Sequence, residues 1–485
     1  MTPPLSLLDD AARLAAAVRA KQISASELVH LTLDAIDRRN PAINAIVWPL
    51  RDAAIARAKE ADEALARGAD VGPLHGVPIT IKEAFAYRGS PNTWGLAPLK
   101  GAMSPRTATA VERLEAAGAI TIGKTNVPVM LGDWQTYNSI YGVTNNPWDA
   151  RLTAGGSTGG GAAAIAVGLG ALTLGSDLSG SIRIPAHFCG VYGHKPSLEL
   201  VSTAGFQPGP WDGLPGYPMD LSVVGPIARS ARDLALALRA AGGPNGDELS
   251  AWTWRMPPPR HSQLRDFRIG YVFDDDAAPI VPEIRGRCDE VLDALRAAGA
   301  KIDRGWPDGI DPHALMPTYG YLVGALVTAE MDAAERTRAR ERFARNPNDV
   351  FAAAAVEPHA RWLHETQRRL ACRAQWQRYF ATHDVFLLPV APTPAFPHDH
   401  SQPMEKRTIE TGRGARPYVE AIPFWTAAAT LAGLPATVAP IGRTAAGLPV
   451  GIQIVAPMWE DDTSIAFADR LADAIGGFTP PPDAA

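Results

Sequence analysis

The chain has 485 residues, a formal charge of −5, 46 % hydrophobic and 20 % charged residues, and 3 cysteines. This is the composition of a soluble globular protein. Its charge balance argues against a nucleic-acid binder that relies on a net basic surface, and no apolar run is long enough to cross a bilayer.

The cysteines, Cys189, Cys288 and Cys372, lie too far apart in sequence to suggest a metal or disulfide framework, and they suit a reducing compartment. The opening Met1-Thr2-Pro3-Pro4, with Asp9 and Asp10 close behind, lacks the basic region of a signal peptide. A cytoplasmic location is therefore expected. Residues 1–67 read as mostly helical: Ser24 and Glu27 form a capping box ahead of an amphipathic run to Asn40, where Pro41 stops it. Residues 43–48 read as a strand and 51–67 as a helix. The β-branched run Val77-Pro78-Ile79-Thr80-Ile81 predicts a buried strand with Lys82 at its far end.

Helix–strand pairs then recur, at 107–117 with 119–123, 161–167 with 171–174, 282–298 with 301–303, and 371–381 with 385–389. This alternation predicts an α/β fold, with a central mixed, largely parallel β-sheet flanked by helices, as one domain over 1–485. Residues 242–266, rich in Gly, Pro and polar types, read as a surface excursion. The Arg-rich helix at 336–345 is interleaved with Glu341 and preceded by Glu335, so it reads as a solvated face and not a nucleic-acid site. Residues 434–438 and 449–455 are two further strands, and Asp461 starts the last helix.

The densest chemical signal lies between residues 154 and 190. It opens as Ala154-Gly155-Gly156-Ser157-Thr158-Gly159-Gly160-Gly161 and closes as Ser176-Asp177-Leu178-Ser179-Gly180-Ser181-Ile182-Arg183-Ile184-Pro185. Glycine costs chain entropy on folding, so this concentration implies a backbone that approaches something closely and aims several N–H groups at one point. An oxyanion hole is built that way.

Other patterns fit their context poorly. Residues 118–125 have P-loop spacing, but 119–122 form a strand and Pro128 stands where the helix should run. Residues 155–159 match a nucleophile elbow, with His383, His398 and His400 downstream, yet that reading leaves Lys82 and the second Gly–Ser site unused. His398-Asp399-His400 and His364-Glu365 lack the further ligands a metal site needs. Lys82, Ser157 and Ser181 remain. A serine is a weak nucleophile until a base takes its proton. A buried lysine can be that base, because burial lowers its ordinary pKa of about 10.4 by as much as about 3–5 units. The other serine can bridge the two as a proton relay.

With these pieces in place the chain resembles the amidase signature family of Ser–Ser–Lys hydrolases. The resemblance runs through Gly76-Val77-Pro78-Ile79-Thr80-Ile81-Lys82, Gly123-Lys124-Thr125-Asn126, Asn145-Asn146-Pro147-Trp148 and the block 155–196. It ends with Ala432-Gly433-Leu434-Pro435 and Gly447-Leu448-Pro449-Val450-Gly451. It implies Ser181 as acylated nucleophile, Ser157 as bridging serine on a cis peptide bond after Gly156, and Lys82 as general base. The N–H groups of Leu178, Ser179, Gly180 and Ser181 would form the oxyanion hole, and no metal or organic cofactor is implied.

Three positions depart from the family pattern: Glu83 for aspartate, Thr158 for the second serine, and Ser179 for a glycine inside the oxyanion turn. Asp177 and Arg183 fit the pattern and read as braces, with substrate-carboxylate binding an alternative for Arg183. Trp134, Gln135 and Tyr137 of the loop 133–138, and Trp211, are the expected substrate-binding residues, with core packing the alternative for the aromatics.

The resulting expectation is an amidase for small hydrophobic or aryl amides, open also to esters and carbamates. Its partners would be a small-molecule amide and water, without nucleic acid or membrane, and a homodimer is the candidate assembly. The rival is the amidase subunit of a glutamyl-tRNA(Gln) amidotransferase complex. That subunit carries a Tyr-Gly-Arg-type segment after its Lys-Pro pair, where this chain has Lys195-Pro196-Ser197-Leu198-Glu199-Leu200.

Overall fold

The computed structural model describes residues 4–214 and 219–482. Eleven strands form one sheet. In chain order they are β1 (Ile46–Pro49), β2 (Pro78–Lys82), β3 (Ile120–Thr125), β4 (Leu172–Asp177), β5 (Tyr192–Lys195), β6 (Val223–Ala228), β7 (Arg268–Tyr271), β8 (Lys301–Arg304), β9 (Val385–Pro389), β10 (Ala436–Arg443) and β11 (Pro449–Val455). Their spatial order is β1-β3-β2-β4-β6-β5-β10-β11-β9-β7-β8. The sheet is mixed. β3-β2-β4 and β9-β7-β8 are parallel blocks, and the strands between and outside them pair antiparallel. Strands β2, β3, β4, β6 and β11 are buried at every residue, as strands covered on both faces must be.

The helices are α1 (Ala11–Arg19), α2 (Ala25–Ile43), α3 (Arg51–Ala66), α4 (Thr109–Ala116), α5 (Gly159–Ala166), α6 (Arg183–Cys189), α7 (Ala231–Ala241), α8 (Pro282–Ala297), α9 (Pro312–Val327), α10 (Ala333–Arg345), α11 (Val350–Val356), α12 (His359–Tyr379), α13 (Tyr418–Ala432) and α14 (Asp461–Ile475). The capping box of α2 forms as expected, with Ser24 Oγ accepting from Glu27 N–H and Glu27 returning an acceptor to Ser24 N–H. The helix does not stop at Asn40, however. It takes Pro41 into its last turn and closes at Asn44, whose φ is 54°. The Asn40 side chain fixes the chain leaving the helix, accepting from Ala45 and Ile46 N–H and donating to Ile46 O.

Residues 242–266 carry only short 3-10 turns, at Gly246–Ser250 and Leu264–Asp266. Helix α10 is solvated along most of its length. α9 to α13 pack together as a helical group, from which Tyr319 of α9 and Thr426 of α13 reach the segment 179–183. None of the described helices is long and apolar enough to cross a membrane.

Candidate active site

The candidate site sits at the C-terminal ends of two parallel neighbours. Lys82 is the last residue of β2, and β4, in register Ile81↔Leu174, ends in Ser176-Asp177. Strand pairing therefore brings the Lys82 amine to the β4 terminus. Nζ donates to Ser157 Oγ at 2.6 Å and to Ser176 Oγ at 2.9 Å. Ser176 is a contact that the sequence reading did not assign. Its only signal was its place one residue before Asp177, and long-range strand register was needed to use it.

Lys82 is wholly buried. Burial holds its pKa well below the ordinary lysine value, and the negative charge of Asp177 opposes this only in part. Asp177 is already engaged. Its carboxylate accepts from Arg183 Nε at 2.9 Å and Nη2 at 2.7 Å, and from the N–H groups of Gly180 and Ile182 at 2.8 and 3.1 Å. Burial alone would raise its pKa, but Arg183 and these donors hold it down at about 2.

Ser157 precedes α5 on a cis Gly156–Ser157 peptide. The glycines that follow serve close packing of the helix start. A Cβ on Gly159 would lie 2.4 Å from Thr136 Oγ1, one on Gly160 2.5 Å from Asn126 N, and one on Gly161 2.9 Å from Thr173 Cγ2. Thr158, in place of the family serine, donates its N–H to Ser181 O at 3.1 Å and its hydroxyl to Ser176 O at 3.3 Å. The Ser157 turn is thereby laid against Ser181. Relative exposure rises from 0 % at Lys82 through 1 % at Ser157 to 7 % at Ser181. Ser181 is thus the most accessible of the three.

The turn 177–183 is wound around the Asp177 carboxylate, with Gly180 at φ 94°. Four N–H groups were expected to face an oxyanion. The Gly180 N–H does not, because it donates to Asp177 Oδ1. Among the described residues no acceptor takes the N–H of Leu178, Ser179 or Ser181. Leu178 and Ser179 are also partly open to solvent. The Ser179 side chain turns to the Tyr319 hydroxyl, a partner that the sequence reading did not identify.

The residues expected to bind substrate separate into two groups. Trp134 stands at the site: its indole N–H donates to Ser179 O at 2.7 Å, and its ring meets Tyr418 edge-on at 5.3 Å. The others serve internal networks. Arg183 is fully buried and donates to Asp177, Thr426 O, Gln453 Oε1 and Thr430 Oγ1, so the brace reading replaces the substrate-carboxylate one. Gln135 is buried and spends its amide on both backbone groups of Asp399. The Tyr137 hydroxyl sits between Asp133 and Arg407, and its ring stacks on His400 at 3.8 Å. Trp211 is buried against Gly205 and bonds Leu214 O, as in the packing alternative.

The elbow reading fails on the partner of Ser157, which is an amine and not a histidine. His383 instead pairs with Asp303. The P-loop reading fails because Lys124 and Thr125 lie in β3, where Lys124 is buried and donates to Pro91 O. Glu83, in place of the family aspartate, is buried and caps the Thr93 and Trp94 N–H groups at 2.7 and 3.0 Å. Among the described residues no group of three His, Cys, Asp or Glu side chains is placed to hold a metal ion.

Comparison with known proteins agrees with this architecture. The Amidase family model matches residues 27–465. The A subunit of a glutamyl-tRNA(Gln) amidotransferase from Thermosynechococcus vestitus is 32 % identical over 472 residues, covering 91 % of this chain and 93 % of its own. An indoleacetamide hydrolase from Bradyrhizobium diazoefficiens is 31 % identical over 464 residues, covering 95 % of this chain and 86 % of its own. The solved structure of a bacterial aryl acylamidase of the amidase signature enzymes superposes with a TM-score of 0.81 at 24 % identity, over 97 % of this chain and 96 % of that one. The chain belongs to the amidase signature family and is a hydrolase acting on C–N bonds.

Proposed function

We propose that the protein is a stand-alone amidase for small, uncharged, hydrophobic or aryl amides, working through an acyl-enzyme on Ser181. One observation carries the reading: a buried lysine meets Ser157 at 2.6 Å, beside the more exposed Ser181, while Asp177, the carboxylate whose charge acts on that lysine, is committed to Arg183. A neutral amine and a hydroxyl can each donate or accept, so the same line that donates from Lys82 can return a proton to it.

Ser181 Oγ attacks the amide carbonyl carbon and passes its proton to Ser157, which hands its own to Lys82 Nζ. The tetrahedral oxyanion is met by the N–H groups of Leu178, Ser179 and Ser181, and each such donor is worth about 2.7–4 kcal/mol. The proton on Lys82 then returns through Ser157 to the leaving nitrogen, and the C–N bond breaks. Water attacks the acyl-Ser181 ester by the same relay and releases the acid.

The uncharged substrate class rests on the pairing of the charged groups around the turn, Asp177 with Arg183 and Asp133 with Arg407, each at 2.7 Å. The half-buried Trp134 ring beside Ser179 offers an apolar wall, and a relative named for hydrolysing indoleacetamide fits the same class. Esters and carbamates can follow the same tetrahedral chemistry.

The amidotransferase reading is favoured by several relatives of that name. Against it stands the segment after Lys195-Pro196. It reads Ser197-Leu198-Glu199-Leu200 and not a Tyr-Gly-Arg-type segment, with Glu199 at a left-handed φ of 70° and Leu200 buried. Hydrolysis by the purified chain of a panel of aliphatic amides, anilides, esters and carbamates tests the proposal. Release of amine only after partner subunits are added refutes stand-alone action.

A further inference from the structure

The peptide between Ser179 and Gly180 is anchored at both edges. Its carbonyl oxygen accepts from Trp134 Nε1 at 2.7 Å, and its N–H donates to Asp177 Oδ1 at 2.8 Å. Because a peptide unit is planar, anchors on both edges fix its rotation. The Ser179 side chain adds a further anchor through its hydrogen bond to the Tyr319 hydroxyl. Ser179 keeps a φ outside the left-handed region, so a side chain there strains nothing.

Tyr319 is only 4 % exposed and lies mid-way along α9. Its neighbour Thr318 donates to the buried Glu365 of α12 at 2.6 Å, and a Cβ on Gly324, further along α9, would lie 3.0 Å from Ala354 Cβ of α11. The phenol is therefore presented from a packed helical support. Burial pushes its pKa up to about 12, so at neutral pH it is a hydroxyl able to donate or accept.

We infer that Tyr319 is a positioning residue for the oxyanion-binding turn. It acts through the Ser179 hydroxyl, with Trp134 holding the Ser179 carbonyl from the other side. The inference rests on the proposed acyl-enzyme at Ser181. It gives a purpose to the departure from glycine at position 179: the hydroxyl supplies a handle by which the α9–α12 group sets the direction of the Ser179 and Ser181 N–H groups. Loss of the handle would misdirect donors that matter chiefly when charge develops on the substrate oxygen, so the rate of bond formation suffers more than ground-state binding.

The test uses a fluorophosphonate probe, whose phosphoryl oxygen occupies the same hole whatever the natural substrate is. Second-order labelling rates are measured for wild type, Tyr319→Phe, Ser179→Ala and the double variant, with denaturant unfolding alongside. Tyr319→Phe is expected to label about tenfold more slowly, the scale of one lost positioning hydrogen bond and less than the loss of an oxyanion donor itself. In the Ser179→Ala background the same change should alter the rate by less than about twofold, because the shared contact is already gone.

Labelling of Tyr319→Phe at the wild-type rate overturns the inference, as does equal slowing in both backgrounds. Should Tyr319→Phe not fold, Trp134→Phe leaves a smaller aromatic ring that cannot donate to Ser179 O and carries the test from the carbonyl side; about tenfold slowing that is lost in the Ser179→Ala background supports the clamp, and an unchanged rate or equal slowing in both backgrounds overturns it. A folded wild-type chain that is not labelled on Ser181 overturns the nucleophile assignment itself, and this inference with it.

Discussion

Lys82→Met separates a neutral base from a charged structural lysine. The substitution keeps most of the stem volume in a site that is wholly buried and removes only the amine that meets Ser157 and Ser176. On the proposed mechanism it removes general-base help, a contribution of about 10²–10⁴ in rate. Stability should move differently. The folded pKa of Lys82 lies below its unfolded value of about 10.4. Between those two pH values the unfolded chain binds a proton that the folded chain does not. Wild-type stability therefore rises with pH across that window, by about 1.4 kcal/mol per pH unit from this group, and the rise ends above the unfolded pKa.

Lys195, held to about 7 by burial and Arg183, and Lys124, held to about 8 by burial, add slopes of the same sign in both proteins. The comparison with Lys82→Met isolates the Lys82 contribution. Denaturant unfolding of both proteins at several alkaline pH values should show the wild type gaining on the variant as pH rises toward 10. Anilide hydrolysis by wild type should rise with pH through the depressed Lys82 pKa and then level off. Parallel stability curves for the two proteins, or a variant that keeps wild-type turnover, would refute a neutral Lys82 as the base.

Ser181→Ala should abolish fluorophosphonate labelling, whereas Ser157→Ala should slow turnover by about 10²–10⁴ and leave any residual label on Ser181 by peptide mass spectrometry; label on Ser157 in the first variant reverses the two roles. Arg183→Met breaks a fully buried ion pair with Asp177 and should cost about 3–5 kcal/mol in denaturant unfolding. Unchanged stability with a raised KM only for carboxylate-bearing amides would restore Arg183 as a substrate ligand. Gly156→Ala places a Cβ 2.4 Å from Asp133 O and 2.7 Å from Gln135 N, both backbone atoms that cannot yield, so a loss of at least about 1–3 kcal/mol is expected. Gly286→Ala, within α8 and with nothing within 4 Å, should instead stabilise by about 0.5–1 kcal/mol; a change of the same sign in both glycine variants contradicts the packing argument.

The sequence made legible those features whose causes are local. The β-branched run ending at Lys82, the Ser24–Glu27 box and the strand at 449–455 all appear where side-chain pattern and capping chemistry place them. The two Gly–Ser turns were legible because so much glycine in one stretch is costly to order unless the backbone itself must approach a neighbour. Helices α9 and α13 were not. α9 carries Pro317, Gly320 and Gly324, poor helix formers, and α13 is buried almost throughout, which erases the amphipathic stripe. Ser176 and Tyr319 escaped because each acquires its partner through strand register or helix docking, and neither is encoded within a few residues of that partner. Gln135 and Tyr137 misled because an exposed-looking polar and aromatic loop has the same composition whether it faces a ligand or, as here, ties down residues 399–407.

The electrostatics at the C-terminal ends of β2 and β4 explain why these pieces belong together. Lys82, Arg183 and Lys195 are all wholly buried, and the charge of Asp177 acts on both lysines. A carboxylate can fully compensate only one of three such cations, and geometry gives it to Arg183, whose planar fork takes both oxygens. Lys195 turns to Pro196 O, and Lys82 is left with hydroxyl partners alone. An uncompensated buried ammonium is costly enough that the group sheds its proton instead. On this account Arg183 supports the chemistry without touching substrate. It claims the counter-charge that would otherwise keep Lys82 protonated, and through the same carboxylate it shapes the turn that carries the N–H groups of Ser179 and Ser181.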